Sequence, residues 1–243
     1  MDRKRRERFL IVNADDFGQS HGVNSGIAEA HEHGIVTSAS MMVRWPAALE
    51  AATYAQAHPE LSVGLHLDLG EWAFRDGEWV QIYKVMEDIN AGAVADEVEH
   101  QLAIFRRLMR RNPTHIDSHQ HCHRREPVSS IVLALGHNMG IPVRDFSADV
   151  CYTGRFYGQT DHGLPYPEGI SVKGLIQVLE DLQPGWTELG CHPAYGRDLD
   201  SMYQVEREQE LKTLCDRRVR EAIAGISIEL SSFHRLGRVP SRA

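Results

Sequence analysis

Four histidines lie within the segment His115–His123, which reads His-Ile-Asp-Ser-His-Gln-His-Cys-His. The whole chain of 243 residues contains only 14 histidines. Imidazole is a common metal ligand, and its ordinary pKa lies closest to neutrality among the side chains. The odd-numbered positions of this segment share one parity, so an extended backbone would direct their side chains to one face. The segment therefore predicts a metal site, with a solvated histidine-rich loop as the alternative.

Two adjacent carboxylates, Asp15 and Asp16, follow a short apolar stretch near the start of the chain. Such a pair is unfavourable unless a cation or a shared proton lies between the two groups. The alternative is a solvated turn in which one aspartate caps the next helix. Catalytic divalent ions commonly have three protein ligands that mix imidazole and carboxylate, with one position left for water. Asp16, His66 and His119 would supply such a set.

The remaining histidines need other roles. His121 and His123 exceed what one ion requires, so we expect them to orient the ligands or to face a substrate. His192 stands before Pro193 at the end of a different predicted strand. It could be a general acid that faces the ion, or a residue held in the turn.

Strands and helices alternate along the chain. Strands are predicted at residues 8–14, 35–43, 61–69, 114–119, 142–145, 187–191 and 226–231, and helices at 23–33, 46–57, 94–111, 128–139, 172–182 and 205–224. This alternation predicts a parallel sheet with helices outside it. We expect an α/β fold, a single-domain TIM-like (β/α) barrel with an irregular or seven-strand count; a doubly wound open sheet is the alternative.

The candidate residues collect at one end of this predicted sheet. Clusters that contain Asp16, His66, His119, Arg144 and His192 each stand at or near the carboxyl end of a predicted strand. Active sites of parallel α/β folds form at that end. The sequence therefore predicts an active site at the C-terminal ends of the strands.

Composition excludes several other classes of protein. A net charge of −8 argues against nucleic acid as a partner. No stretch approaches the ~18 apolar residues of a membrane span, and the apolar run after the basic start is too short for a signal peptide. Four cysteines without a CxxC pair suit a reducing compartment. We expect a cytoplasmic protein in which residues 1–8 form a disordered basic tail and residues 9–243 form one domain.

Five ordered motifs resemble the YdjC-like carbohydrate deacetylase family, which includes chitooligosaccharide deacetylases. They are Asn13–Gly18, Gly34–Ser38, Gly64–His66, Thr114–His123 and Cys191–Pro193. The resemblance runs from Leu10 to about His192 and continues more weakly to the last strand. It departs from the family pattern at Gln120 and Cys122, and in the loops that select the substrate.

This resemblance implies a TIM-barrel-like fold and hydrolysis of an N-acetyl group from an amino sugar or a short oligosaccharide. It implies one divalent ion held by Asp16, His66 and His119, with Asp15 as the base and His192 as the acid. Arg144 is a candidate to help stabilise the oxyanion. Zn²⁺ suits one carboxylate and two imidazoles better than Mg²⁺ does, and the sequence leaves the ion open.

Two long predicted loops, residues 70–93 and 146–169, carry most of the aromatic side chains that could contact a sugar. Among them, Trp72, Tyr152 and Tyr157 are the candidates for substrate contact, because aromatic rings offer flat apolar faces to pyranose rings. The same rings could instead pin the loops or form a subunit interface, so a homodimer is one option. Alternative functions are another barrel metallohydrolase, such as a phosphoesterase, or a non-catalytic carbohydrate-binding homologue.

Overall fold

The computed structural model describes residues 7–75, 77–87, 89–160, 162–199 and 201–236. The strands in these ranges are β1 (Arg8–Phe17), β2 (Ser38–Met41), β3 (Ser62–Leu67), β4 (Gly70–Arg75), β5 (Glu78–Lys84), β6 (Ile116–Ser118), β7 (Val150–Thr153), β8 (Gly185–Cys191) and β9 (Ile228–Ser231). The helices are α1 (His21–Glu32), α2 (Ala48–Ala57), α3 (Ala91–Met109), α4 (Val128–Met139), α5 (Val172–Glu180), α6 (Val205–Leu214) and α7 (Arg217–Gly225).

Seven strands form a parallel sheet in the order β6-β3-β2-β1-β8-β7, with β9 also paired to β1. One edge of β1 pairs with β8. The other edge is shared, since β9 pairs with residues Arg8–Ile11 and β2 pairs with residues between Asn13 and Phe17. Nearly all of β1 is buried. Burial on both faces explains the continuous apolar run at residues 9–12.

The sheet is strongly curled. Asp117 on β6 and Glu188 on β8 both contact the guanidinium of Arg144, each at 2.6 Å. Four strand spacings separate β6 from β8, which would be about 19 Å in a flat sheet. The TIM-like barrel predicted from the alternation is therefore confirmed, as a half-barrel. Within the described ranges, only the bridge between Ile116 and Val143 extends the sheet beyond β6.

The helices cover the outside of the sheet. The side chain of Asn90 accepts a hydrogen bond from Ala93 N and so begins α3. Along α3, the buried apolar side chains recur every three or four residues, which places them on one face: Val94, Val98, Leu102, Phe105 and Met109. Of the helices in the described residues, none is long and apolar enough to cross a membrane.

Three parts of the predicted secondary structure are wrong. The strand expected at 142–145 is reduced to one bridge, and Asp145 has a left-handed φ of 67° that ends the extended backbone. The strand β7 and the antiparallel hairpin β4–β5 lie in stretches that were expected to be loops. The helix expected at 205–224 is interrupted between α6 and α7, where the Asp216 side chain accepts from Arg218 N and starts α7.

The chain start differs slightly from the expected tail. Arg8 already belongs to β1, where it pairs with Gly185 and Ile228. Residues 1–6 of the predicted tail lie outside the described residues.

Candidate active site

A cavity of about 840 Å³ opens at the carboxyl ends of the strands. Asp15 and Asp16 reach it from β1, and His66 reaches it from β3. His119 follows β6 directly, and His192 follows β8. The structure thus brings together the side chains that the sequence placed at the ends of separate strands.

Asp16, His66 and His119 form a compact group, which we call the inner group. Oδ1 of Asp16 lies 3.3 Å from Nε2 of His66 and 3.1 Å from Nδ1 of His119. One potential donor atom from each residue lies within 4.8 Å of the others. Asp16 and His66 are almost fully buried, and the side chain of His119 is 12% exposed. The inner group therefore has the composition and spacing of a three-ligand cation site.

The tautomer of His66 favours a cation at the inner group. Nδ1 of His66 lies 2.8 Å from Oδ1 of Asp117. An ionised carboxylate only accepts hydrogen bonds, so Nδ1 donates, and in the neutral ring the lone pair stays on Nε2. That buried Nε2 has no hydrogen-bond partner among the described residues and faces Asp16. Two acceptors this close are stabilised by a positive charge between them. Burial opposes protonation of His66, yet Asp117 and Asp16 raise its pKa well above the usual value, and a divalent ion would take the place of that proton.

Asp16 is held as an anion by two cationic neighbours. Burial opposes its ionisation, but the guanidinium of Arg207 and the ring of His119 keep the pKa of Asp16 well below its usual value. Nη2 of Arg207 donates to Oδ2 of Asp16 at 2.6 Å, which leaves Oδ1 for the two imidazoles. On the far side of the group, Oε2 of Glu71 lies 3.8 Å from Nε2 of His119.

Arg144 is the counter-ion beneath the cavity. It donates to both oxygens of Asp15, at 2.6 and 2.7 Å, and also contacts Asp117 and Glu188. Burial opposes ionisation of Asp15, yet Arg144 brings its pKa well below the usual value. For Glu188, burial outweighs Arg144 and raises the pKa to about 7. Arg144 is not among the residues that line the cavity, which differs from the oxyanion contact expected of it.

His192 lies next to Asp15 and is held by α6. Its Nε2 lies 3.9 Å from Oδ2 of Asp15. Its backbone N–H donates to Glu210, and Nδ1 lies 3.7 Å from Oε1 of the same carboxylate. The hydroxyl of Tyr203 also donates to Glu210, at 2.5 Å. Tyr157 and Tyr203 pack edge-on against the ring of His192.

The shared face expected for the histidine-rich segment ends with β6. After Ser118 the backbone turns into a 3-10 segment, in which Gln120 and His121 have left-handed φ values of 50° and 52°. His121 lines the cavity, whereas His123 is fully buried behind it. His115 lies elsewhere, stacked on Phe233 with ring centroids 3.9 Å apart.

Aromatic side chains from the two long segments form part of the cavity wall. Trp72 and Trp79 come from the hairpin and are about half exposed, and Tyr152 and Tyr157 come from the other segment. Gln120 attaches the hairpin through two hydrogen bonds with the backbone of Trp72, at 2.7 and 2.9 Å. These contacts leave the indole rings of the hairpin at the opening of the cavity.

Sequence reasoning missed several residues that hold the site: Glu71, Asp117, Glu188, Arg207 and Glu210. Arg207 and Glu210 are three residues apart on α6, a spacing that places both on one helix face. That spacing was the feature of the sequence that could have identified Arg207 and Glu210 as a pair. Because α6 is rich in charged residues, its sequence is typical of a solvated helix.

Comparison with known proteins shows the family of this chain. The YdjC-like protein family matches residues 9–225. A carbohydrate deacetylase of Geobacillus stearothermophilus is 34% identical, over 93% of this chain and 97% of the relative. A chitooligosaccharide deacetylase of Serratia marcescens is 32% identical, over 95% of this chain and all of the relative.

Solved structures show the same fold. A protein of Enterococcus faecalis V583 is 27% identical with a TM-score of 0.76, covering 95% of this chain and 99% of the other. A family 4 carbohydrate esterase from Streptomyces lividans, solved with acetate, has a TM-score of 0.55 at 10% identity, covering 92% and 91% of the two chains. The second likeness concerns the fold alone. The family match extends over most of the chain, and this protein therefore belongs to the YdjC-like family.

Proposed function

We propose that this protein is a metal-dependent hydrolase that removes the N-acetyl group from an N-acetylated amino sugar or a short oligosaccharide. The observation that carries the proposal is the inner group, where Asp16 faces two imidazoles in a cavity that also contains Asp15 and His192. The names of the Geobacillus and Serratia relatives support deacetylation as the reaction.

The inner group would hold a single divalent ion. Such an ion supplies Lewis acidity, which polarises the acetyl carbonyl and lowers the pKa of a bound water. One carboxylate and two imidazoles suit Zn²⁺, whereas Mg²⁺ prefers a set of oxygen ligands. Arg207 and Asp117 orient Asp16 and His66 from behind, so the donors need little rearrangement.

Asp15 and His192 would handle the protons. Asp15 is fixed by two hydrogen bonds from Arg144 next to the ligand Asp16, where it accepts a proton from the attacking water. His192 gives a proton to the amine as the amide C–N bond breaks and a C–O bond forms. The products are acetate and the free amino sugar. Glu210 fixes the backbone of His192 and so sets the position of the ring.

The cavity suits a carbohydrate of a few rings. Its volume of about 840 Å³ lies within the usual range for small-molecule sites. Trp72, Trp79, Tyr152 and Tyr157 offer flat apolar faces at its wall, which pack well on pyranose rings. We infer that these rings contact the sugar. Tyr83 has a different role, because its hydroxyl donates to Asp68 and anchors the hairpin.

We also propose a cytoplasmic location and no nucleic-acid partner. The four cysteines are free thiols, which suits a reducing compartment. The net charge of −8 disfavours binding to a polyanion. A homodimer stays an option for the assembly.

Acetate release tests the proposal directly. Metal-stripped protein would be assayed on N-acetylglucosamine and its β-1,4-linked disaccharide, with and without added Zn²⁺ or Mg²⁺. We expect acetate only when an ion is present. Asp15→Asn should abolish acetate release with metal content nearly unchanged, and His119→Ala should lose both acetate release and the ion of the inner group. Asp96→Asn and His137→Ala, at exposed positions on α3 and α4, are matched controls that should change neither.

Several results would contradict the assignments. Release of phosphate from sugar phosphates without acetate release would favour a phosphoesterase, and sugar binding without turnover would favour a non-catalytic homologue. Activity in Asp15→Asn would remove Asp15 as the base. A metal content in His119→Ala equal to that of the unmodified protein would move the ligand role to His121 or His123.

A further inference from the structure

A second set of potential metal ligands lies beside the inner group, and the proposed reaction does not use it. His121, His123 and Asp145 have one donor atom each within 4.8 Å of the others. We call these three residues the outer group. His121 and His123 come from the 3-10 segment after β6, and Asp145 comes from the turn that follows the bridge at Val143.

The nitrogens of the outer group are buried and lack other partners. Nδ1 of His121 and Nε2 of His123 have no hydrogen-bond partner among the described residues. Nε2 of His123 lies 3.4 Å from Oδ2 of Asp145, and the side chain of His123 is fully buried. Leaving buried polar atoms without partners is unfavourable, so each such atom requires an explanation.

Ser118 fixes the ring of His123 in the orientation that a ligand needs. Oγ of Ser118 lies 2.6 Å from Nδ1 of His123 and accepts from the backbone N–H of the same residue at 3.0 Å. Nδ1 is thereby occupied, and Nε2 is the nitrogen that points to Asp145. A hydrogen bond to the second ring nitrogen is the usual companion of a histidine metal ligand.

The backbone at this place is shaped to bring the donors together. His121 and Asp145 have left-handed φ values of 52° and 67°, which are uncommon for residues other than glycine. Such backbone conformations often occur at functional sites. Here they direct an imidazole and a carboxylate toward the buried His123.

We propose that the outer group is a second cation site, which takes a borderline transition-metal dication such as Zn²⁺ through two imidazoles and one carboxylate. This ligand set favours Zn²⁺ over Mg²⁺ or Ca²⁺, which prefer oxygen. Arg124 competes for the site, because its Nε donates to Oδ2 of Asp145 at 2.7 Å. The side chain of Arg124 is 46% exposed and can swing into solvent when an ion binds. The outer group is therefore the weaker site.

Metal counting on the full chain tests this proposal independently of any activity. Stripped protein would be equilibrated with Zn²⁺, freed of excess ion and analysed for metal per chain. We expect two ions in the unmodified protein, one in Asp145→Asn, one in Asp16→Asn and none in the double variant. Asparagine tolerates the left-handed backbone of residue 145, so the fold should be kept. Asp149→Asn, at an exposed position nearby, is the matched control and should keep two.

Either of two counts would overturn the proposal: a single ion in the unmodified protein, or two ions in Asp145→Asn. Arg124→Gln provides a second test that leaves all ligands in place. Removing a competing surface ion pair should tighten the weaker site roughly two- to fivefold. Unchanged affinity for the second Zn²⁺ in this variant would also contradict the site. None of these results bears on acetate release, so the second site and the proposed reaction fail separately.

Discussion

The inner and outer groups contain the same kinds of ligand, yet they are built in different ways. The inner donors come from the ends of three strands, and a partner stands behind each: Arg207 behind Asp16, Asp117 behind His66 and Glu71 near His119. The outer donors come from one short segment and one turn, and Arg124 competes for the carboxylate. The parallel sheet thus fixes the first group, and local backbone shape fixes the second.

This difference teaches where catalytic precision arises in the fold. Strand register sets the positions of Asp16, His66 and His119, because β1, β3 and β6 are tied to the same sheet. Catalytic groups need to be held close to their productive geometry by rigid neighbours. We therefore propose that the reaction takes place at the inner group and that the outer group only binds an ion.

The largest expected effect concerns the support behind the inner group. Asp117→Asn weakens the hydrogen bond that orients His66, so we expect affinity for the first ion to fall about 10- to 100-fold. Ser118→Ala is the counterpart, since it removes the partner of His123 and should weaken the second ion alone. Metal titration of both variants measures the two affinities. If either variant lost ion affinity equally at both sites, the distinction between the groups would be contradicted.

A smaller effect is expected from a substitution that changes no ligand of either group. Glu210→Gln keeps an oxygen near the backbone N–H of His192 but removes the charge that faces its ring. We expect kcat to fall about tenfold with both ions retained, because a misplaced acid loses part of its contribution. Steady-state kinetics with metal analysis measure this. Glu221→Gln, which is exposed on α7, is the control. A loss of metal from Glu210→Gln would show that α6 acts on the ion sites instead.

A separate effect, on stability and not on ion binding or catalysis, concerns His115, which belongs to neither group although it starts the same histidine-rich segment. Burial beside Phe233 lowers its pKa to about 3, so it is neutral in the folded protein. The unfolded chain binds this proton below about pH 6.5. The contribution of His115 to the free energy of unfolding is therefore fully present above that pH. It is lost as the pH falls from about 6.5 toward 3, by up to about 1.4 kcal/mol per pH unit.

Urea unfolding of metal-stripped protein at several pH values measures this slope. His115→Phe keeps a ring against Phe233 but cannot be protonated, so its free energy of unfolding should depend less on pH. His137→Phe, at an exposed position, should keep the slope of the unmodified protein. Identical slopes in all three proteins would mean that the burial of His115 does not govern acid stability.

The sequence predicts the sheet and much of the site for a physical reason. A buried parallel strand favours a continuous apolar run, and polar residues are favoured where the run ends at the cavity. Because each of their runs ends in this way, Asp15, Asp16, His66 and His119 are expected to lie together. The same reasoning fails for His121 and His123, because parity holds only while the backbone is extended, and β6 ends at Ser118.

Residues that act from outside the sheet could not be predicted in this way. Arg207 and Glu210 are buried because α6 packs against α1 and brings them to Asp16 and His192, and a charged helix sequence does not reveal these tertiary contacts. Among the described residues, β4 and β5 pair only with each other. The side chains of β5 are largely exposed, so its sequence lacks the apolar run of a core strand.

Acetate release measured against the number of ions bound is the most direct test of the central claim that the inner group carries the reaction. The Asp145→Asn protein would be stripped, and Zn²⁺ would be added in steps on an N-acetylated disaccharide. We predict that activity rises linearly and stops rising at one ion per chain, and that adding Asp16→Asn to this protein abolishes it. Acetate release without an ion, or activity that persists in the Asp16→Asn variant, would contradict the account.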